Sequence, residues 1–228
     1  MNDLQKVGGV AALIAAATWV VGIVFFLALL TPAGYFDAGV DPVEKAAFLA
    51  DNQAIVSVSY LTSFVVFGMF LVVLALALHK RLKAGAPAMA QAATAFGLIW
   101  AGLVIASGMV ANIGIGKVVD LYGTDPAQAG SLWLSLDMVV FGLGGGNEIA
   151  GGLWVLLASW AALRAGQLPR PLNYLGVVFG VAGLLTVVPA LEVLWAVELL
   201  GAVFGLGLIV WFVWLGIVML RSSPSAGA

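Results

Sequence analysis

The chain has 228 residues, of which 63% are hydrophobic and only 9% charged, and its formal net charge is −2. A typical soluble domain carries about 25% charged residues, so this composition excludes a water-soluble globular protein, and the lack of a basic surface excludes nucleic-acid binding. Because the chain has no Cys and a single His, a disulfide, a cysteine nucleophile, a thiolate or multi-histidine metal site and a bis-histidine haem are excluded as well, and we expect no metal and no cofactor.

Six apolar runs follow one another along the chain. They cover residues 8–30, 54–79, 89–112, 132–163, 172–190 and 194–220. A helix needs about 20 residues to cross the hydrocarbon of a bilayer, and all the runs except the marginal fifth meet this length comfortably. We therefore predict an all-α, polytopic integral membrane protein in which six transmembrane helices form one domain over residues 1–221. The tail at 222–228 has no apolar periodicity and is predicted to be disordered.

The basic residues predict the orientation of these spans, since short cytoplasmic loops are enriched in Lys and Arg. If the N-terminus is cytoplasmic, only Lys45 and Lys117 lie outside. The basic residues that then lie inside are Lys6, Lys80, Arg81, Lys83, Arg164, Arg170 and Arg221. We predict that both termini are cytoplasmic. The first run is too long for the core of a signal peptide, so we expect it to be a retained helix.

The two larger outer loops contain the same helix-start pattern. In Asp41-Pro42-Val43-Glu44 and in Asp125-Pro126-Ala127-Gln128, a capping Asp precedes a Pro at the first helical position. The first pattern predicts a helix over 42–51 on the outer leaflet. The second predicts a helix that continues into the fourth span.

Carboxylates within the spans are the main candidates for a functional site, because a charge in hydrocarbon is costly. Glu148 lies at the centre of the fourth run, and Asp137 lies eleven residues earlier. In a continuous helix they would share one face about 16 Å apart. The same run is rich in glycine at positions Gly142, Gly144, Gly145, Gly146, Gly151 and Gly152.

Two interpretations of this stretch stay open. In the first, the fourth helix is thinned or broken within the membrane, and Glu148 and Asn147 line a site for a substrate or a proton. In the second, the glycines form a close contact between helices, and Glu148 is protonated or hydrogen-bonded to polar groups on adjoining spans. The groups considered are Ser107, Asn112, Thr62 and Ser63.

Other polar and aromatic residues have ordinary explanations. Glu192 and Glu198 flank Trp195 near the outer headgroups, where they are either hydrated or form an acidic vestibule with Asp137 for a cation or an amine. His79, next to Lys80, is expected to be a solvated boundary residue. The remaining tryptophans are expected to be packing or interface residues.

The stretch Gly142-Leu-Gly-Gly-Gly-Asn-Glu148 is followed by three further segments of characteristic sequence. These are Gly151-Gly-Leu-Trp154-Val-Leu-Leu, Ser159-Trp-Ala-Ala-Leu-Arg164 with Leu168-Pro-Arg170, and Leu172-Asn-Tyr-Leu-Gly176. Together with the arrangement of spans, they resemble a bacterial membrane family catalogued as domain of unknown function 4386. The resemblance implies a six-helix protein of the bacterial inner membrane, with no established activity and no catalytic residue to carry over.

Three hypotheses of function remain. The first is a small transporter in which Glu148 is the proton or cation site, with a flexible fourth helix and an outer acidic vestibule. The second is a non-catalytic protein that forms a homo-oligomer or joins an unknown membrane subunit through small residues such as Gly102 with Ala106 and Gly201 with Gly205. The third and weakest is a lipid-modifying enzyme, because no nucleophile and base are recognisable. Membrane lipid is the one partner that all three share, and we expect the protein not to be an enzyme.

Overall fold

The computed structural model describes residues 2–35, 37, 39–145, 148–188 and 196–221, and every regular element within them is helical. The α-helices are α1 (Asn2–Phe25), α2 (Pro42–Asp51), α3 (Gln53–Tyr60), α4 (Phe67–Leu82), α5 (Pro87–Tyr122), α6 (Pro126–Val140), α7 (Ile149–Arg164), α8 (Arg170–Leu185) and α9 (Ala196–Arg221). Three π-helical segments, Phe26–Leu30, Leu61–Val66 and Phe141–Gly145, directly follow α1, α3 and α6.

Five helical segments are long and apolar enough to cross a membrane. They are Asp3–Leu30, Gln53–Leu82, Pro87–Tyr122, Pro126–Arg164 and Ala196–Arg221. The prediction of a polytopic membrane protein is therefore confirmed at this level. The predicted fifth run to residue 190 is shorter in the structure, because α8 has 16 residues and spans only about 24 Å. At its end the Thr186 hydroxyl donates a hydrogen bond to the Gly183 carbonyl at 2.7 Å. The predicted disordered tail, 222–228, lies outside the described residues.

The helix that contains the predicted third span, 89–112, extends beyond it. α5 continues to Tyr122 and has 36 residues, a length of about 54 Å against about 30 Å of hydrocarbon. Its last turns are not uniformly apolar, which is why a hydropathy pattern misses them. Ile115 and Val118 are fully buried there, while the side chains of Lys117 and Asp120 on the same helix are 72% and 77% exposed.

Both predicted helix starts are confirmed. A carboxylate oxygen of Asp41 accepts a hydrogen bond from the Val43 backbone N–H at 2.8 Å, and one of Asp125 accepts from the Gln128 N–H at 3.0 Å. Each Asp thereby satisfies one of the backbone N–H groups that a helix leaves free at its start. The helix that begins at Pro126 continues into the fourth apolar run, as the sequence predicts.

The chain divides into two compact units. The first unit comprises the described residues of Met1–Ala17, Gly68–Gly102 and Asn147–Ala228, and the second comprises those of Thr18–Phe67 and Leu103–Gly146. The first unit thus contains α7, α8 and α9 with parts of α1, α4 and α5. The second contains α2, α3, α6 and the three π-helical segments.

Within the first unit, helices approach closely at glycine. A Cβ atom added to Gly180 on α8 would lie only 2.7 Å from the carbonyl oxygen of Gly152 and from the backbone N of Leu156 on α7. Gly9 on α1 faces Gly216 on α9 in a similar way. In lipid the hydrophobic effect does not drive helices together, and small residues allow their backbones to pack closely instead.

A cluster of buried aromatic side chains lies within the first unit. Trp100, Trp154 and Trp211 are almost completely buried, with ring centroids 5.8 Å apart between Trp100 and Trp154 and 5.6 Å apart between Trp154 and Trp211. Phe204 and Phe212 extend this stack. These tryptophans are packing residues, as predicted, whereas Trp160 is 48% exposed.

Within the second unit, α2 packs against α6. Gly130 makes the approach possible, because a Cβ atom there would lie 2.7 Å from the backbone of Pro42. Beneath α2 lies a core formed by residues from several elements. Its buried members are Tyr35, Ala46, Leu49, Val56, Ile115, Val118, Ala129 and Trp133.

Candidate functional site

The fourth apolar run is interrupted in the structure. α6 ends at Val140, a π-helical segment covers Phe141–Gly145 with a non-helical backbone at Gly144, and α7 begins at Ile149 with Glu148 as its N-cap residue. The geometry expected for Glu148 and Asp137 on one face of a continuous helix therefore does not apply. Glycine is the residue that most readily permits such an interruption, because it lacks a Cβ atom.

The interruption frees backbone groups that must be satisfied within the membrane. On the α6 side, the hydroxyl of the fully buried Ser107 donates a hydrogen bond to the Val140 carbonyl at 2.9 Å. Gly144 lies close to Val104, since a Cβ atom there would be 3.3 Å from the Val104 Cα. The end of α6 is thus held against α5 through one polar bond and one close backbone contact.

Glu148 occupies the start of α7. Its backbone carbonyl accepts a hydrogen bond from the Gly152 N–H at 2.7 Å, but its carboxyl makes no capping bond and has no hydrogen-bond or ion-pair partner among the described residues. The side chain is half-buried. Burial favours a neutral acid, whereas the positive end of the α7 dipole favours a carboxylate.

The polar groups proposed as partners of Glu148 bond elsewhere. Ser107 donates to Val140, Ser63 donates to the Thr18 carbonyl at 3.3 Å, and Asn112 donates to the Gly108 carbonyl at 2.9 Å. The carbonyls of their own or neighbouring helices satisfy these donors. Their oxygen atoms can still accept a hydrogen bond from a protonated carboxyl, so the interpretation in which such groups hold Glu148 stays a prediction.

The predicted glycines behave differently from one another. Gly151 and Gly152 are tightly packed, because Cβ atoms there would lie 2.7 Å from the Trp100 ring and 2.9 Å from the Gly180 carbonyl oxygen. Gly142 has nothing within 4 Å of the corresponding position. Gly145 belongs to the π-helical segment. Gly146 and Asn147 lie outside the described residues, as does Glu192.

Asp137 belongs to a polar cluster in the second unit. It is half-buried and lies close enough to Lys45, Tyr35 and Tyr60 to interact with each electrostatically. The ammonium group of Lys45 lies 5.0 Å from the centre of the Tyr35 ring, a distance at which a cation is attracted by the ring face. The Asp137 carboxyl and the Lys45 ammonium group thus lie near the same aromatic side chain, Tyr35.

Tyr35 is the centre of this cluster. The Trp133 indole N–H donates a hydrogen bond to the Tyr35 hydroxyl, and both side chains are buried. Burial, and after it the neighbouring Tyr60 and Asp137, raise the pKa of the Tyr35 hydroxyl, while the bond from Trp133 opposes the shift. The phenol is therefore held in its neutral form.

Sequence reasoning missed most of this cluster. Tyr35 lies in a turn and Lys45 on a short amphipathic helix, so neither falls within an apolar run. Trp133 is predicted only as a packing or interface residue, and no sequence pattern singles out Tyr60. The sequence does contain one signal for a charge pair. Lys45 and Lys117 are the basic residues of the predicted outer side, and Asp137 is the acid of the fourth run that lies nearer to that side.

Two further predictions concern Glu198 and His79. Glu198 is exposed in the first turn of α9, and both of its interpretations stay predictions. The interpretation of His79 as a solvated residue is wrong. Its Nδ1 lies 2.9 Å from the Thr94 hydroxyl and 3.3 Å from the Ala90 carbonyl oxygen, and the ring is half-buried between α4 and α5. The reason is that α5 begins at Pro87 and passes alongside the end of α4.

Comparison with known proteins gives a family. The model of the family described as Domain of unknown function (DUF4386) matches residues 38–218, which is well over half of the chain. No curated protein and no solved structure gives a significant match.

Proposed function

We propose that this chain, which belongs to the DUF4386 family, is a small transporter in which Glu148 carries a proton or another cation during solute movement. One observation supports the proposal above the others. The fourth span is divided into two helices, and the carboxyl at the start of the second helix has no bonded partner among the described residues. Discontinuous helices whose ends face a substrate or coupling ion are a recurring arrangement in secondary transporters.

A site of this kind needs a carboxyl that can gain and lose a proton. At Glu148 the opposing effects of burial and the α7 dipole leave both states accessible. The absence of a bonded partner within the described chain leaves the carboxyl free to bind a cation. The close packing of Gly151 and Gly152 fixes the backbone from which it projects.

The proposed topology has six spans, with α8 as the short fifth span and both termini in the cytoplasm of a bacterial inner membrane. It rests on the distribution of basic residues described above. The exposed charges Lys117 and Asp120 near the end of α5 agree with an outer end that extends beyond the hydrocarbon.

Carbodiimide labelling tests the site without a known substrate. A hydrophobic carbodiimide modifies protonated carboxyls, so we expect Glu148 to be labelled in the lipid-reconstituted protein and to be protected by one member of a panel of cations and amines. Mass spectrometry locates the modified residue. Glu44, exposed on α2, serves as an internal control that this membrane-partitioning reagent should leave largely unmodified.

Flux in proteoliposomes then tests the role of the labelled carboxyl. The protecting compound should dissipate an imposed pH gradient in vesicles containing the natural sequence. Glu148→Gln should reduce this flux by about tenfold or more, while Glu44→Gln should leave it unchanged. A Glu148 that resists modification at every pH, together with full flux in Glu148→Gln, would rule out the proposal.

A second function, assembly into an oligomer, is favoured by one observation. Gly102 and Gly201 have no described atom within 4 Å of the position that a Cβ atom would occupy, so these two glycines make no close packing contact with the described residues. If they contact another copy, Gly201→Leu should convert an oligomer into a monomer when the mass is measured by light scattering in detergent. A monomer for the natural sequence would contradict this alternative.

A further inference from the structure

Two loops of the first unit touch each other. The loop between α4 and α5 covers residues 83–86, and the loop between α7 and α8 covers 165–169. A Cβ atom on Gly85 would lie 2.7 Å from the Cα and Cβ atoms of Ala165, so the two backbones are in direct contact. The ends of four helices, α4, α5, α7 and α8, therefore meet at one place.

The side chain of Arg81 reaches this junction from the last turn of α4. Its Nε donates a hydrogen bond to the Gln167 side-chain oxygen at 3.3 Å. Its Nη1 is buried and has no acceptor among the described residues, although the residue as a whole is only half-buried. Buried polar groups nearly always have a partner, and those of a charged group are especially costly to leave without one. Nη1 of Arg81 is thus a buried donor for which the described residues supply no acceptor.

The α7–α8 loop holds Gln167 in place. The Gln167 backbone N–H donates to the Ala162 carbonyl at 2.9 Å, and the Gln167 carbonyl accepts from the buried Asn173 side chain at 3.0 Å. The next residue, Leu168, has a φ of 63°, a left-handed conformation that is strained for a residue with a branched side chain. Such strain persists only where the surroundings determine the conformation, so the partner of Arg81 is preorganised.

The junction is also strongly cationic. The exposed residues Lys80 and Lys83 belong to the α4 side, and Arg164 and Arg170 belong to the α7–α8 side. Residues 79–90 and 160–175 contain no Asp or Glu. The ion pair that the structure describes joins Lys117 to Asp120, so Arg81 has no acidic partner within the described chain.

We propose that Arg81, held by Gln167 where these two loops meet, binds a phosphate oxyanion supplied by the headgroup of an anionic phospholipid or by free phosphate. The planar guanidinium offers two parallel N–H groups, which match the geometry of phosphate oxygens. Basic sites between transmembrane helices near a membrane surface are typical positions for anionic headgroups. The incoming oxygen supplies the acceptor that the guanidinium lacks within the described part of the chain.

Lipid retention tests this site. The full-length protein in neutral detergent is titrated with phosphatidylglycerol, or with diacylglycerol of the same acyl chains, and bound lipid is counted by native mass spectrometry. We expect preferential retention of phosphatidylglycerol, with affinity reduced about tenfold in Arg81→Gln through loss of the charge-assisted bonds. Lys117→Gln removes one positive charge from an exposed position outside this junction and should change affinity by less than about twofold.

Free phosphate forms the second arm of the test. The melting temperature in sodium phosphate is compared with that in sodium chloride at equal ionic strength, for the natural sequence and for Arg81→Gln. Stabilisation that requires Arg81 in this arm alone identifies free phosphate, and dependence on Arg81 in the lipid arm identifies the headgroup. Either result supports the site.

Three results would overturn it. They are equal binding of the two lipids together with no phosphate stabilisation of the natural sequence, unchanged lipid binding together with unchanged phosphate stabilisation in Arg81→Gln, and equal losses in Arg81→Gln and Lys117→Gln. If Arg81→Gln does not fold, Arg81→Lys keeps the charge and removes the planar fork. It should then still weaken retention of phosphatidylglycerol, and full retention in that variant would count against the proposal.

Discussion

At the scale of single residues, we expect the stability of the second unit to depend on the Tyr35 hydroxyl, which accepts the hydrogen bond of the Trp133 indole. Tyr35→Phe removes the acceptor and leaves the buried indole N–H unpaired. We expect a loss of about 1–3 kcal/mol in the free energy of unfolding. Thermal unfolding in detergent measures it, with the exposed Tyr174→Phe as the control. Equal stability of the two variants would show that the indole finds another partner.

The same phenol predicts a dependence on alkaline pH. Because the pKa of Tyr35 is higher in the folded state than its ordinary value of about 10, its contribution to stability is complete below pH 10. It is lost progressively above that pH, where the unfolded chain releases the proton and the folded chain keeps it. Tyr35→Phe should therefore lose stability less steeply between pH 10 and 11 than the natural sequence. Equal slopes in pH-dependent unfolding would contradict this linkage.

At the scale of helices, glycines of similar sequence context have opposite roles. Gly180→Ala places a Cβ atom 2.7 Å from backbone atoms of α7, which cannot move as a flexible side chain could. We expect a loss of about 1–3 kcal/mol. Gly201→Ala meets nothing within 4 Å and should be neutral or stabilise α9 by about 0.5–1 kcal/mol, because alanine favours a helix. Unfolding followed in parallel decides the sign of each, and destabilisation by both would contradict the distinction.

How far the sequence predicts these helices depends on whether a signal is local. Asp41 and Asp125 mark helix starts through bonds within four residues, and both starts are where the sequence places them. The extension of α5 to Tyr122 depends on burial of Ile115 and Val118 against α2 and its neighbours. That burial arises from residues distant in the chain, so no local pattern predicts it. For the same reason the glycine-rich run permitted an interruption of the fourth span without requiring one.

The candidate site also has one part that a local sequence signal predicts and another that depends on contacts between distant residues. The position of Glu148 within the fourth run could be read from the chain, because a carboxylate in an apolar run stands out. Its place at the start of α7 depends on where the helix is interrupted. Lys45 and Tyr35 come close to Asp137 only because α2 and the turn before it pack against α6.

At the scale of the whole molecule, the proposed topology can be mapped directly, because the chain has no cysteine of its own. Single cysteines at two exposed loop positions, Ala84→Cys and Thr124→Cys, supply unique labels. In intact cells a membrane-impermeant maleimide should label the cysteine at 124 and reach the one at 84 only after the membrane is opened. The reverse pattern would invert the proposed orientation.

The π-helical segment Leu61–Val66 also has a consequence for how the chain can vary. A turn closed by an i→i+5 bond contains one more residue than an α-helical turn, so deleting one residue from Leu61–Val66 can convert it to regular α-helix. The same deletion within α4 would rotate every following side chain by about 100°. Leu61–Val66 is therefore a place where the chain can shorten by one residue without moving an apolar face away from its neighbours. Natural length differences among related chains should include a one-residue deletion there.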